Sequence, residues 1–85
     1  MRTNNSVGGG GSSYAFSETP SGTKDGANTT FTLANAPSPA ASLLLTLNGQ
    51  VLAPAGVDFT LSGSTITMIN APISSDVFLA ISYLY

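Results

Sequence analysis

The sequence predicts an all-β fold, a small antiparallel β-sandwich or flattened barrel of six to seven strands behind a disordered N-terminal arm. Three kinds of observation predict it. Turn-forming residues recur at short intervals after the first dozen or so positions, and β-branched, aromatic or Leu residues fill the gaps between them. Asn48-Gly49 stands between the apolar runs SLLLTL and QVLAP, and this pair suits the two positive-φ positions of a type I′ hairpin turn. No apolar i, i+3, i+4, i+7 pattern persists for three turns without Pro, Gly or a β-branched interruption, so no helix beyond a turn or two is expected.

Taken in order, residues 1–13 (MRTNNSVGGGGSS) have almost nothing to bury, and their Gly and Ser residues populate many backbone states. They read either as a passive tail or cloning remnant, or as an arm that orders on a neighbouring subunit. Residues 14–85 form the β-sandwich domain. Thr29 to Leu33 is a strand with Phe31 and Leu33 on one face and Thr30 and Thr32 on the other, ended by Pro37 and Pro39, which cannot donate to a ladder.

The strand before Asn48-Gly49 places Leu43, Leu45 and Leu47 on one side and Leu44 on the other, so it is expected to be central or covered. Val57 to Leu61 and Thr65 to Ile69 form a second hairpin across Ser62-Gly63-Ser64. Val77 to Tyr85 is a long core strand, with Val77, Leu79, Ile81, Tyr83 and Tyr85 alternating against Phe78, Ala80, Ser82 and Leu84.

With 85 residues the core is thin, since a domain this small buries only about 60% of the surface of its unfolded chain. Small folds compensate with disulfides, metals or oligomerisation, and the chain has no Cys and no His, so oligomerisation is the route expected. Charged residues are 7% of the chain, against roughly 25% in an ordinary domain. That scarcity implies an exterior covered by partners, or alternatively a surface kept polar by Ser and Thr.

Arg2 and Lys24 are the only basic residues and the net charge is −2, which argues against nucleic acid as a partner. No stretch has the apolar length of a membrane span, and the N-terminus lacks the pattern of a secretory signal. Synthesis in the cytoplasm and no membrane association are expected, and on that reading the sequons at Asn4 and Asn28 carry little meaning.

An enzymatic role is not expected. Glu18, Asp25, Asp58 and Asp76 have no His to partner them in acid–base work, and neither a Ser-His-Asp nor a Cys-His arrangement is possible. The glycines at 8–11 precede no helix and read as linker rather than as a phosphate loop. The three aspartates could in principle gather round calcium, but each sits at a turn or strand start where a bond to nearby backbone N–H groups accounts for it. Most of the aromatics, Tyr14, Phe16, Phe31, Phe59, Phe78, Tyr83 and Tyr85, are expected in the core, with Tyr83 and Tyr85 also suited to a subunit interface. No catalytic, cofactor-binding or metal-ligating residue is assigned, and no cofactor.

One ordered set of landmarks runs through most of the domain: Asp25-Gly26, Asn28, Phe31, Leu33, Pro37, Leu45-Thr46-Leu47-Asn48-Gly49, Leu52, Asp58-Phe59, Ile66, Ala71-Pro72, Asp76 and Tyr83. Over residues 20–85 it resembles a small β-sandwich module of structural proteins in tailed bacteriophage virions. The resemblance implies a location in the virion and a structural role. The short chain, with no fibre or enzymatic domain attached, points to a capsid cement or decoration protein that bridges subunits of the major capsid protein, or contacts other virion proteins, as a homo-oligomer. The alternative is a tail-fibre or tail-appendage module used in host attachment.

Overall fold

The computed structural model describes residues 13–85, which form seven strands: β1 (Tyr14–Glu18), β2 (Thr30–Thr32), β3 (Leu44–Leu47), β4 (Gln50–Val51), β5 (Phe59–Ser62), β6 (Thr65–Met68) and β7 (Phe78–Leu84). A single 3-10 turn at Ala40–Ser42 is the only helical element among them. The strands lie in two antiparallel sheets, one ordered β1-β7-β3-β4 and the other β2-β6-β5. Phe31, Leu33, Phe59, Ile66 and Met68 from one side meet Leu45, Phe78, Ala80 and Tyr83 from the other in one buried cluster. Phe31 and Phe78 join the layers edge to face, with ring centroids 5.0 Å apart. The molecule is therefore a β-sandwich.

The local signals act as their chemistry requires. Asn48 (φ 53°) and Gly49 (φ 82°) turn β3 into β4, both with the positive φ of a type I′ turn. Phe31 and Leu33 are buried while Thr30 and Thr32 face solvent. The β5–β6 hairpin is tighter than the sequence suggests. Ser62 pairs with Thr65, which leaves a two-residue turn with Gly63 (φ 60°) first, the position where a type II′ turn needs glycine.

Strand β5 also begins later than Val57. Residues 53–58 fold into a loop closed by Asp58 N–H to the Ala53 carbonyl (2.9 Å) and Gly56 N–H to the Phe59 carbonyl (2.9 Å), which leaves Val57 exposed. Ser13, read from sequence as part of the arm, belongs to the domain, because it exchanges both backbone bonds with Tyr85 at 2.9 and 3.1 Å. The rest of the proposed arm, residues 1–12, lies outside the described residues.

The largest departure is in β7. Its buried residues are Phe78, Ala80 and then Tyr83, so the inward spacing changes from two to three. The ladder with β3 slips at the same level, where Leu44 pairs with Ser82 but Leu45 with Ala80, and Ile81 is the extra residue of a bulge. Strand β1 follows β7, because Ser17, beside this level, takes φ 53°. The strict alternation expected from sequence is thus broken once, which puts Tyr83 in the core and leaves Ile81 half-exposed.

Gly22 is the glycine that the packing requires. It has φ 149°, and a Cβ there would lie 2.5 Å from Phe31 Cδ2 and 3.0 Å from the Thr30 carbonyl oxygen. Gly49 has φ 82° with nothing within 4 Å of a built Cβ. Gly22→Ala is expected to cost about 3 kcal/mol, combining backbone strain and overpacking, and Gly49→Ala about 1 kcal/mol from strain alone. Urea denaturation of the two variants measures the difference, and equal costs would refute the steric role of Phe31.

Candidate assembly surface

Three features of the surface are candidates for function: the outward face and edge of the four-stranded sheet, an apolar cleft, and the polar clusters around the carboxylates. The face follows from the register. Residues directly opposite on paired strands share a face, so Phe16, Ser82 and Leu44 form one row, Tyr14 and Leu84 a second, and Val51, Thr46 and Leu79 a third. These rows lie opposite the buried Leu45, Ala80 and Tyr83. They hold six apolar or aromatic side chains together with Ser82 and Thr46, and no charge.

Thr46 is 6% exposed and its hydroxyl donates to the Leu79 carbonyl at 3.0 Å, so it asks nothing of solvent. Tyr14 and Phe16 are 59% and 70% exposed, with rings stacked at 6.0 Å and 17°. Core packing was the expectation for most aromatics, and for these two it fails. The bulge directs Ala15 rather than its neighbours towards the core.

Strand β1 is an edge of its sheet. Ser13 exchanges both backbone bonds with Tyr85, and in an antiparallel ladder such pairs alternate with pairs whose backbone groups point away. The N–H and C=O groups of Tyr14 and Phe16 therefore point off this edge, where no described residue pairs with them. At the opposite flank of β7 the groups freed by the same alternation are covered, since Leu84 N–H donates to Ser42 Oγ (3.0 Å) and its carbonyl accepts from Ser38 N–H (2.7 Å).

The cleft has a volume of about 460 Å³ and lies between the 3-10 turn and β5, lined by Ala40, Ala41, Leu43, Pro54, Ala55, Phe59, Thr60 and Leu61. Ligand sites of this size carry a few convergent polar groups that fix orientation. Here the side chains offer one hydroxyl, that of Thr60.

The carboxylates bind the chain's own backbone. Asp25 Oδ1 accepts from Ala27 N–H (2.9 Å) and Asn28 N–H (2.8 Å), an Asx turn as expected. Asp58 and Asp76 reach backwards instead, to Ala53 N–H (2.8 Å) and Ile73 N–H (2.9 Å). Asp76 also accepts from Asn48 Nδ2 at 3.0 Å, while Asn48 Oδ1 takes the Val77 N–H at 2.8 Å and Lys24 Nζ donates to the Asp76 carbonyl. This ties the β3–β4 turn to the start of β7. The bond from Asn48, then that from Ile73, hold the Asp76 carboxyl below its ordinary value, with Lys24 adding a smaller attraction. The bonds from Asn28 and Ala27 do the same for Asp25. Among the described residues no three His, Cys, Asp or Glu side chains converge as a metal site.

Sequence reasoning missed the partner of Glu18. Tyr83, 1% exposed, donates its hydroxyl to Glu18 Oε1, and Glu18 Oε2 accepts from Ala34 N–H at 2.7 Å. Burial first, and then the bond to Glu18, push the Tyr83 phenol above its usual value, with Asn35 pulling weakly the other way. The two residues stand 65 positions apart, and no local pattern links them.

Comparison with family models, with curated proteins and with solved structures gives no match to this chain.

Two pH effects follow. The folded state favours the protonated Tyr83 phenol, so its contribution to stability is complete below the unfolded tyrosine range near pH 10 and is lost as pH rises through the higher folded value. Tyr83→Phe is expected to flatten part of that alkaline loss, and to cost roughly 1–3 kcal/mol at neutral pH by leaving Glu18 Oε1 without its donor. Asp25 and Asp76 have lowered values, so their contribution is complete above the unfolded value and is lost as pH falls through the folded one. Asp76→Asn should weaken the acid-induced loss below about pH 4. Thermal melts of both variants across pH measure these slopes, and parallel profiles for variant and wild type would refute the assignments.

Proposed function

We propose that this chain is a non-catalytic structural protein of the bacteriophage virion, a capsid cement or decoration protein whose sandwich lies across joints between capsid subunits. One observation carries the assembly role: the outward face of the four-stranded sheet has no charge and presents Tyr14 and Phe16 beside an open strand edge. Contiguous apolar surface next to unpaired edge groups is an aggregation hazard unless a partner covers it. The placement in a virion rests on the ordered landmarks of residues 20–85 and their resemblance to the phage module.

The non-catalytic reading is supported by the engagement of all four carboxylates with backbone donors. A general acid or base needs a carboxyl free to reach a substrate. In the proposed mechanism the partner is capsid protein, bound through the uncharged outward face of the four-stranded sheet, with nucleic acid and lipid playing no part.

The test is binding of the purified chain to phage shells lacking it, with bound copies counted by quantitative mass spectrometry. Hundreds of copies per particle and better survival of the shell on heating are expected. A few copies at one vertex would move the chain to the tail, and no retention on shells or tails would overturn the virion role. Deleting residues 1–12 tests the arm separately: weaker retention with an unchanged circular dichroism spectrum is expected, and unchanged retention would reject the arm's part.

A further inference from the structure

We propose that β1 pairs with β1 of a second copy of this chain, antiparallel about a twofold axis, so that two four-stranded sheets become one continuous eight-stranded sheet. The backbone supplies the register. Tyr14 and Phe16 point their N–H and C=O groups off the open edge, while Ala15 between them pairs inward with Tyr83. A twofold axis through Ala15 sets Tyr14 opposite Phe16 of the second copy, Phe16 opposite its Tyr14, and Ala15 opposite its Ala15. Both Tyr14–Phe16 pairs then exchange N–H···O bonds, four in all, and the Ala15 pair takes the close non-bonded position, where a small side chain fits.

The side chains favour the same arrangement. Tyr14 and Phe16 are stacked on one face of β1, so pairing brings four rings into one cross-strand cluster. A chain of net charge −2 is expected to repel its copy through any acidic patch, but this face carries no charge. Glu18, the only charged residue of β1, has both carboxylate oxygens bound within its own chain by Tyr83 and Ala34. Strand β1 also lacks Lys and Pro, two devices that protect an edge from pairing.

Area decides how strong the pairing is. An aromatic side chain has roughly 150–250 Å² to bury, and Tyr14 and Phe16 are 59% and 70% exposed. The two rings offer about 200–320 Å² per copy, below the roughly 800 Å² per partner of a standard stable interface. The dimer is therefore weak when free and concentration-dependent. It is reinforced where the chain is held at high local density, as a lattice would hold it.

The inference deepens the proposed assembly role but can fail independently of it, because it concerns the isolated chain. Sedimentation of the full chain from micromolar to millimolar concentration is expected to show a monomer–dimer equilibrium. Phe16→Lys, at an exposed position, is expected to weaken it on the order of tenfold or more with an unchanged circular dichroism spectrum. Ala15→Cys, the only thiol in the chain, is expected to form an intermolecular disulfide on mild oxidation. A wild-type chain that stays monomeric throughout overturns the proposal, as does a dimer indifferent to Phe16→Lys. A dimer in which Ala15→Cys stays reduced overturns the register. Retention on shells by a strictly monomeric chain would preserve the cement role and assign the edge to a strand of the capsid protein.

Discussion

The extra residue at Ile81 sets which side chains the larger sheet buries and which it shows. A strand with period-two alternation from Phe78 onward would send Ser82 and Leu84 to the core with Phe78 and Ala80. The bulge moves Tyr83 inward instead and turns Ser82 and Leu84 out. Because Ser17 takes a positive φ beside the same level, β1 changes face in step, so that Glu18 lies beside Tyr83 and Tyr14 and Phe16 face out. The buried phenol, its carboxylate partner and the aromatic outer face are three consequences of one local irregularity shared by neighbouring strands.

The second organising feature is how the few charges are used. Every charged side chain among the described residues is bound to backbone or to the core tyrosine: Glu18 to Ala34 and Tyr83, Lys24 to the Asp76 carbonyl, and Asp25, Asp58 and Asp76 to N–H groups of turns. Loops that carry few regular hydrogen bonds obtain their partners this way. Electrostatics serves to fix the connections, and none is left over to keep the sheet face from contact. Low charge content and an uncharged face are thus linked, since the ionic groups are held at turns.

Much of the fold was legible because turn chemistry acts locally. Asn48-Gly49 and Gly63 declare their turns through a φ that only a few residues tolerate, and Phe31 and Leu33 declare a face through alternation. The bulge was not legible, because Val77 to Tyr85 has large side chains at both parities, so neither phase is marked as wrong. That ambiguity passed on to the surface: without the phase of β7, Tyr14 and Phe16 could not be assigned outward, nor could Glu18 be assigned to Tyr83. Strand order was equally hidden, and with it the fact that β1 is an edge. The late start of β5 depended on Asp58 reaching back to Ala53, a bond that the sequence does not mark.

The aromatic pair on β1 is difficult to explain by the stability of a lone chain. At about 25 cal/mol per Å², the roughly 90–175 Å² that each ring leaves wet represents about 2–4 kcal/mol of burial not realised. A domain of this size has a net stability of only some 5–10 kcal/mol. Polar β-formers such as Thr would hold the same backbone at those positions without that exposed area, and the edge would gain protection against pairing. Tyr and Phe lose little side-chain entropy on being ordered and present large rigid surfaces, which suits a contact formed after folding. Their place beside the outward backbone groups of Tyr14 and Phe16, which pair with no described residue, puts apolar area and hydrogen-bonding capacity at a single edge. An intermolecular strand draws on both at once, and a folded monomer uses neither.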